Sequence, residues 1–279
     1  MKTLIAIPAR YGSKRFPGKP LAVLEGKTIL ERVWEIASYV VQNTSDCNAV
    51  VATEEPSENC PSRKIIDFCQ ARDIPVVVTS SKCRSGTERA WAVASMERER
   101  PDIVVNLQGD APTCPPEFIS QLIKTLSENP NDQAATIYTR LSWEALDAMR
   151  EAKKVSPFSG TTVIRTTNGT AAWFSKNIIP AIRDEDKLRA SQELSPVLRH
   201  VGLYAYRWRA LDFFVKAEPS YYETLEQLEQ LRFLENGLSI RLVEGKYPQG
   251  YDKATSGVDS PEDLARIAQI IRENGELIN

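Results

Sequence analysis

The chain begins with the stretch Thr3-Leu4-Ile5-Ala6-Ile7-Pro8-Ala9-Arg10-Tyr11-Gly12-Ser13-Lys14-Arg15-Phe16-Pro17-Gly18-Lys19-Pro20-Leu21. Its apolar start is typical of a buried strand, and the four cations that follow come with no acidic residue before Glu25. Gly12 and Gly18 allow backbone N–H groups to approach a ligand closely, because glycine has no side chain in the way. A strand that ends in such a loop favours phosphate binding. A solvated basic loop is the simpler alternative for the same residue types.

Short β-branched runs alternate with longer, helix-like runs in the first half of the chain. The predicted strands are Thr3–Ile7, Ala49–Thr53, Ile74–Thr79 and Ile103–Leu107, and the predicted helices are Thr28–Val41, Arg63–Arg72, Thr87–Arg98 and Pro116–Leu126. This alternation predicts an α/β fold with a mostly parallel, doubly wound sheet that helices cover on both faces. Ligands of such sheets bind beyond the carboxyl ends of the strands.

The second half of the chain has a different pattern. Extended runs without regular intervening helices predict inserted antiparallel strands at Ala134–Leu141, Thr161–Thr166, Thr170–Lys176 and Gly202–Arg207. Asn168-Gly169 is a strong hairpin signal, and the charged run Arg183–Ser195 indicates an exposed excursion. We therefore expect a single domain over residues 1–279 with an inserted β and charged segment at about 134–207.

The pattern at the end of the chain is helical. The spacing of Leu225, Leu228, Leu231 and Leu234 predicts one helix over Tyr222–Glu235 with these leucines facing the core. Ser260-Pro261-Glu262-Asp263 is typical of a capped helix start with proline at the first position.

Composition excludes several classes of protein. The 279 residues carry 35 Lys plus Arg against 37 Asp plus Glu, so no global field attracts nucleic acid or an anionic membrane. The five cysteines are odd in number and form no C-x-x-C pair, and no apolar run approaches the length of a membrane helix. We expect a cytoplasmic protein without a nucleic-acid partner or membrane insertion. A zinc site is not expected, because the only histidine is His200.

Two aspartates are candidates for binding Mg²⁺. Asp110 follows an apolar strand and a glycine turn, and Asp259 precedes a helix start. Mg²⁺ commonly binds one or two carboxylates together with phosphate oxygens and water. The alternatives are a turn-forming role for Asp110 and a capping role for Asp259.

Two further positions have both a functional and a structural interpretation. The hydroxyls and the glycine amide of Ser85-Gly86-Thr87-Glu88-Arg89 could bind a nucleotide base, and a plain helix cap is the alternative. His200 has no partner for a metal site or a catalytic triad, so a structural role is the simpler interpretation from local sequence.

Six motifs, in order, resemble the sugar-acid cytidylyltransferases, and most closely the 3-deoxy-manno-octulosonate cytidylyltransferase (CMP-KDO synthetase) family. They are the Pro8–Leu21 stretch, Ser85–Arg89, Asn106–Asp110, Arg199–Tyr204, Leu228–Arg232 and Gly257–Leu264. The resemblance implies transfer of CMP from CTP to a 2-keto-3-deoxy sugar acid, with KDO as the expected acceptor and pyrophosphate released, in lipopolysaccharide synthesis. It also implies a Mg²⁺ cofactor and a homodimer formed through the inserted β segment.

The resemblance also assigns roles to individual residues. The implied catalytic residues are Arg10, Lys19, Asp110 and Asp259, and the two aspartates are also the implied Mg²⁺ ligands. The implied nucleotide-binding residues are Pro8, Ala9, Arg10, Gly12, Ser13, Arg15, Lys19, Ser85, Gly86, Thr87 and Arg89. The implied sugar-binding residues are Gln108, Lys176, His200, Tyr204 and Glu229.

Four positions depart from the pattern of the family. Lys176 stands where arginine is usual, Ala111 replaces a frequent glutamate, and Cys83 and Arg84 precede the serine motif in place of histidine and glutamine. A modified octulosonate, such as an 8-amino form, or a nonulosonate is therefore an alternative acceptor. A catalytically inactive sugar-nucleotide-binding protein is the alternative from another class, although intact Asp110, Asp259 and Lys19 argue against it.

Overall fold

The computed structural model describes residues 1–12, 15–57, 61–251 and 257–278. The strands are β1 (Thr3–Pro8), β2 (Val23–Leu24), β3 (Lys27–Thr28), β4 (Cys47–Glu54), β5 (Val76–Thr79), β6 (Ile103–Asn106), β7 (Ala134–Ser142), β8 (Thr162–Arg165), β9 (Ala171–Ser175), β10 (Leu194–Arg207) and β11 (Ile240–Glu244). The helices are α1 (Ile29–Gln42), α2 (Arg63–Gln70), α3 (Gly86–Met96), α4 (Pro116–Glu128), α5 (Trp143–Val155), α6 (Glu185–Ser191), α7 (Trp208–Lys216), α8 (Tyr221–Glu226), α9 (Leu231–Glu235) and α10 (Pro261–Asn274). A short 3₁₀ helix covers Lys19–Leu21.

The large sheet has the strand order β11-β7-β10-β6-β1-β4-β5. Strands β6, β1, β4 and β5 are mutually parallel, and β11 is parallel to β7. Strand β10 is antiparallel to both β6 and β7. At Leu198 and Arg199 the other edge of β10 pairs with β8, which forms an antiparallel pair with β9. The prediction of a mostly parallel sheet with an antiparallel insertion is confirmed.

Helices cover both faces of this sheet, because β1 is apolar on both sides. Ile5 and Ile7 belong to one core cluster, with α1, α2, α4 and α10, whereas Leu4 and Ala6 belong to the other, with α3, α7 and α9. Successive side chains of a strand point to opposite faces, so a continuous apolar run requires cover on both. The doubly wound architecture is confirmed. In the part of the chain that the structure describes, no helix is both long and apolar enough to cross a membrane.

The expectation of an inserted segment without regular helices was wrong. Helix α5 follows β7 directly, capped by the Ser142 hydroxyl, and it buries Trp143, Leu146 and Met149 in a separate small core. Arg183–Ser195 is largely exposed, as expected, but it contains α6, which ion pairs join to α5 through Arg150 and Arg189. Helix α7 and strand β11 were not predicted from the sequence either. The hairpin is confirmed, with β8 and β9 antiparallel and a left-handed glycine in their turn.

The single helix predicted over Tyr222–Glu235 was also wrong. The backbone breaks at Gln227, which has a positive φ of 52° and separates α8 from α9, and the Leu225 side chain is exposed. A buried ion pair explains the break, because the Arg232 guanidinium folds back onto the Glu223 carboxylate at 2.5 and 2.8 Å. Arg232 also donates to two carbonyl groups at the end of α7. The turn between α8 and α9 presents Glu229 and Gln230 to a cavity described below.

Arg232→Met tests this ion pair. It leaves the Glu223 carboxylate buried without its cation, so we expect the free energy of unfolding to fall by about 3–5 kcal/mol in urea denaturation at pH 7. Lys216→Met is the matched control, because Lys216 pairs with Asp212 at the surface and its loss should change stability by less than about 1 kcal/mol. Equal effects of the two substitutions would contradict the role given to the buried pair.

Candidate active site

The loop after β1 folds back on itself and places Lys19 at the end of the parallel strands. The Gly18 N–H donates to the Tyr11 carbonyl at 2.9 Å, and Gly18 has a left-handed φ of 73°. A Cβ atom on Gly18 would lie 2.9 Å from the Tyr11 ring, so only glycine fits this turn. Gly12 is exposed in this loop, and Ser13 lies outside the described residues.

The segment after β6 passes directly beside the end of β1. The Gly109 N–H donates to the Pro8 carbonyl at 3.1 Å, and a Cβ atom on Gly109 would lie 2.6 Å from that oxygen. Glycine is therefore required for this close approach, which brings Asp110 next to Lys19.

The two predicted metal ligands, Asp110 and Asp259, lie together. The Lys19 ammonium contacts a carboxylate oxygen of Asp110 and lies 3.0 Å from Oδ1 of Asp259. The Val258 N–H donates to the Asp110 carbonyl at 2.8 Å, and this bond fixes the loop that carries Asp259. Arg15 binds the other oxygen of Asp259 at 2.9 Å, although its own side chain is mostly exposed.

The Asp259 carboxylate does not cap helix α10, which was the alternative role for this residue. Helix α10 begins with a capping box between Ser260 and Asp263, in which the Ser260 hydroxyl accepts from the Asp263 N–H. Asp259 joins this cap only through its backbone N–H, which donates to the Asp263 carboxylate at 3.1 Å. Its own carboxylate binds the Lys19 and Arg15 cations instead.

Lys19 is a nearly buried cation at this junction, with 12% of its side chain exposed. Burial lowers the pKa of Lys19, but the charges and hydrogen bonds of Asp110 and Asp259 raise it by more, so the net shift is upward. The ammonium is therefore charged at neutral pH, and it neutralises one of the two facing carboxylates.

A cationic cavity of about 360 Å³ opens on one side of this junction. It brings together most of the predicted nucleotide-binding residues, namely Pro8, Ala9, Arg10, Arg15, Lys19, Ser85, Gly86 and Arg89. Ser85 is the N-cap of α3, and its hydroxyl accepts from the Glu88 N–H at 3.3 Å. Arg89 is buried at the cavity wall, where it donates to the Thr79 hydroxyl.

Two of the departures from the family pattern lie at the rim of this cavity. Cys83 and Arg84 both line it. The Arg84 guanidinium is committed to Glu88, to which its Nε donates at 2.8 Å, so the extra positive charge is paired within α3 and its cap.

A second cavity, of about 440 Å³, opens on the other side and shares Gln108, Asp110 and Asp259 with the first. It brings together all five predicted sugar-binding residues, namely Gln108, Lys176, His200, Tyr204 and Glu229. The predicted nucleotide residue Thr87 also lines this cavity rather than the first.

A chain of hydrogen bonds orients the polar groups of this second cavity. The Gln108 amide donates to Asn106 at 3.1 Å, the Asn106 amide donates to Thr87 at 3.3 Å, and the Thr87 hydroxyl donates to Glu229 at 2.7 Å. The chain links β6, α3 and the turn before α9, so Gln108 and Glu229 are held in fixed positions relative to Asp110.

His200 combines a structural contact with a place at the second cavity. Its Nε2 lies 3.0 Å from the Thr136 hydroxyl, which donates to the Leu203 carbonyl at 2.7 Å, so the network assigns the hydrogen to Nε2. Burial and then the charge of Lys176 lower the pKa of His200 to about 3. The imidazole is therefore neutral at physiological pH.

Two buried polar groups at this cavity have unsatisfied atoms, and one cation there has no partner among the described residues. The buried Tyr204 hydroxyl and Gln230 amide nitrogen have no hydrogen-bond partner among the described residues. The Arg199 guanidinium has no hydrogen bond or salt bridge within the described part of the chain, and burial lowers its pKa. Gln230 lies within the motif Leu228–Arg232, and Arg199 lies within the motif Arg199–Tyr204. These two motifs were the sequence signal that could have identified both residues as candidates for ligand binding. A ligand can supply the missing partners.

The residues at the junction fit Mg²⁺. Two carboxylates converge on one cation, the Lys19 ammonium, so the same oxygen atoms are placed to bind a single positive ion. Within the described ranges no cluster of three or more His, Cys, Asp or Glu side chains forms a metal site, so further ligands would have to come from phosphate and water. That ligand set is typical of Mg²⁺ bound with a nucleotide.

Comparison with known proteins identifies the family. Residues 4–240 match the family model described as cytidylyltransferase. A 3-deoxy-manno-octulosonate cytidylyltransferase of Maricaulis maris is 42% identical to the chain over 278 residues, covering 100% of both proteins. The chain belongs to this family.

Other members support the assignment. A 3-deoxy-manno-octulosonate cytidylyltransferase of Oleidesulfovibrio alaskensis is 37% identical, with 96% of each protein covered. The solved structure of a CMP:2-keto-3-deoxy-manno-octonic acid synthetase in complex with CTP superposes with a TM-score of 0.80 at 31% identity, covering 98% of this chain and 99% of that one. The resemblance stated from the six motifs is confirmed.

The protonation of His200 can be tested directly, because it is the only histidine of the chain. With a pKa of about 3, we expect its ring signals in NMR of ¹³C-histidine-labelled protein to stay constant between pH 5.5 and 8. In the same protein unfolded in urea, the His200 ring should titrate with a midpoint at about 6.5. A folded-state midpoint near 6.5 would contradict the assigned neutral imidazole.

Proposed function

We propose that the protein transfers CMP from CTP to a 2-keto-3-deoxy sugar acid, with KDO as the acceptor, and releases pyrophosphate. The observation that carries this proposal is the meeting of two cavities at Asp110 and Asp259, one cationic and one lined by hydrogen-bonding groups. The names of the full-length relatives, and the CTP bound to the solved relative, support the same reaction.

The first cavity suits the triphosphate of CTP. Arg10, Arg15 and Lys19 line it and would neutralise the phosphate oxygens, while Ser85 and Gly86 lie at the N-terminus of α3, where backbone N–H groups favour polar acceptors of the base. Gly12, which is exposed, and Ser13 remain proposed contacts of the phosphates from the resemblance alone.

We propose Mg²⁺ as the cofactor, held by Asp110 and Asp259. When bound, the ion would supply positive charge to the phosphate oxygens and so make the α-phosphorus easier to attack. The chain's own residues supply the rest by electrostatics and positioning. Lys19 and Arg10 would stabilise charge that develops on the leaving pyrophosphate, and Gln108, shared by both cavities, would hold the reacting groups in line.

The second cavity suits the sugar acid. The anomeric hydroxyl of the sugar would attack the α-phosphorus and lose its proton to solvent as the bond to pyrophosphate breaks. The Glu229 carboxylate and the His200, Tyr204 and Gln230 side chains would bind other hydroxyl groups. We assign the sugar's carboxylate to Arg199 and Lys176, two cations that line this cavity. A guanidinium without an internal partner can grip a carboxylate with two hydrogen bonds, whereas Lys176 offers a point charge.

The cellular setting is also a proposal. Family membership favours a homodimer formed through the inserted β segment and a role in lipopolysaccharide synthesis. We propose a cytoplasmic location, where the free thiols of Cys47, Cys69, Cys83 and Cys114 would stay reduced.

A panel of substrates tests the proposed reaction. Pyrophosphate release is measured with Mg²⁺, each of CTP, UTP, ATP and GTP, and each of KDO, 8-amino-KDO and a nonulosonate. We expect CTP with KDO to give the highest kcat/KM. Asp110→Asn gives the background rate, since losing a metal ligand should cost about 10²–10⁴-fold.

Each other outcome of the panel identifies a rival. Equal rates with UTP or a purine nucleotide would contradict CTP selectivity, and the highest kcat/KM with 8-amino-KDO or the nonulosonate would replace KDO as the acceptor. CTP binding without turnover of any acceptor would indicate the inactive binding protein.

Arg199→Leu and Lys176→Ala test the assignment of the carboxylate. Each removes a charge-assisted bond, so we expect the KM for the sugar acid to rise about 10- to 100-fold while the KM for CTP changes little. Arg209→Leu is the control, because Arg209 is exposed on α7 and lines neither cavity. An unchanged sugar KM in both variants would remove these cations from the acceptor site.

A further inference from the structure

The Lys19 ammonium lies between two carboxylates that a divalent cation would need. It contacts Asp110, lies 3.0 Å from Asp259, and belongs to the first turn of the 3₁₀ helix, where its own N–H donates to Phe16. Its side chain is nearly buried, so the position is built by the fold rather than taken up by a mobile surface lysine.

A lysine ammonium and a divalent cation compete for this position. Both bind the same carboxylate oxygens, and an ion entering beside a retained Lys19 would face a positive charge at close range in a partly dehydrated site. Arg15 contributes less to this repulsion, because it binds the outer oxygen of Asp259 and is largely exposed to solvent.

The Lys19 ammonium also has a second possible set of binding partners. Its side chain lines the cationic cavity together with Arg10 and Arg15, so a polyphosphate in that cavity offers the ammonium new oxygen partners. If the ammonium turns to the phosphates, the two carboxylates are left facing each other and their mutual repulsion favours a divalent cation between them.

We propose that Lys19 is a tethered counter-ion that closes the Asp110–Asp259 pair to divalent cations until a nucleotide triphosphate draws the ammonium away. This inference rests on the proposed function, because it takes the two aspartates as metal ligands. It adds an order to binding, in which the free protein holds metal weakly and the nucleotide and the metal strengthen each other's binding.

The test measures Mn²⁺ affinity of the full-length protein without nucleotide, by the EPR signal of free Mn²⁺. We expect Lys19→Gln and Lys19→Met to bind Mn²⁺ at least ten-fold more tightly than the unsubstituted protein. Lys19→Arg, which keeps the charge, should bind weakly. Lys27→Gln is the matched control, because Lys27 pairs with Glu35 at the surface at 2.7 Å.

Thermal unfolding gives a second readout that is independent of activity. The neutral Lys19 variants should melt at a lower temperature than the unsubstituted protein, because the carboxylates then repel each other, and Mn²⁺ should restore the loss. Adding Asp110→Asn to Lys19→Gln should abolish both the tight Mn²⁺ binding and the rescue.

The outcomes separate this inference from the proposed function. If the neutral variants bind Mn²⁺ no more tightly than the unsubstituted protein, yet Asp110→Asn abolishes Mn²⁺ binding in the presence of CTP, the counter-ion role is overturned and the metal site stands. If the unsubstituted protein and all variants, mixed with CTP, bind no more Mn²⁺ than CTP alone binds, both the metal assignment and this inference are wrong.

Discussion

The ion bridge of Lys19 with Asp110 and Asp259 is the interaction on which the arrangement of the site depends. It joins the loop after β1, the segment after β6 and the loop before α10. Two backbone bonds, from Gly109 to Pro8 and from Val258 to Asp110, bring these segments close enough for the bridge to form. Without the Lys19 cation, two carboxylates would face each other, so the site requires either the ammonium or another cation at this point.

The bridge also divides the site by charge. On one side the cavity presents Arg10, Arg15 and Lys19, which suits a polyanion. On the other side the groups are mostly neutral or paired, including a neutral His200 and a Glu229 held by Thr87, with Arg199 and Lys176 as the cations. Asp110 follows β6, a strand in the middle of the doubly wound sheet. A cavity can therefore lie on each side of Asp110, beyond the carboxyl ends of the strands.

Much of this arrangement could be predicted from the sequence, where the signal was local. The four strands and four helices predicted for the first half of the chain lie within a few residues of β1, β4, β5, β6 and α1–α4, because buried strands and amphipathic helices leave clear patterns. Strands β2 and β3 were not predicted. The break between α8 and α9 could not be predicted, since it follows from a buried pair of Arg232 with Glu223 that leucine spacing does not reveal. The role of Arg199 could not be predicted for a similar reason, because its lack of a counter-ion among the described residues is a property of the fold and not of local sequence.

A crystal of the protein with Mn²⁺ and CTP, measured for anomalous scattering, would test the central claim most directly. We expect an anomalous peak between the carboxylates of Asp110 and Asp259, with the Lys19 ammonium displaced toward the phosphates. Manganese bound to the phosphates alone, with the Lys19 ammonium still between the two carboxylates, would contradict the account.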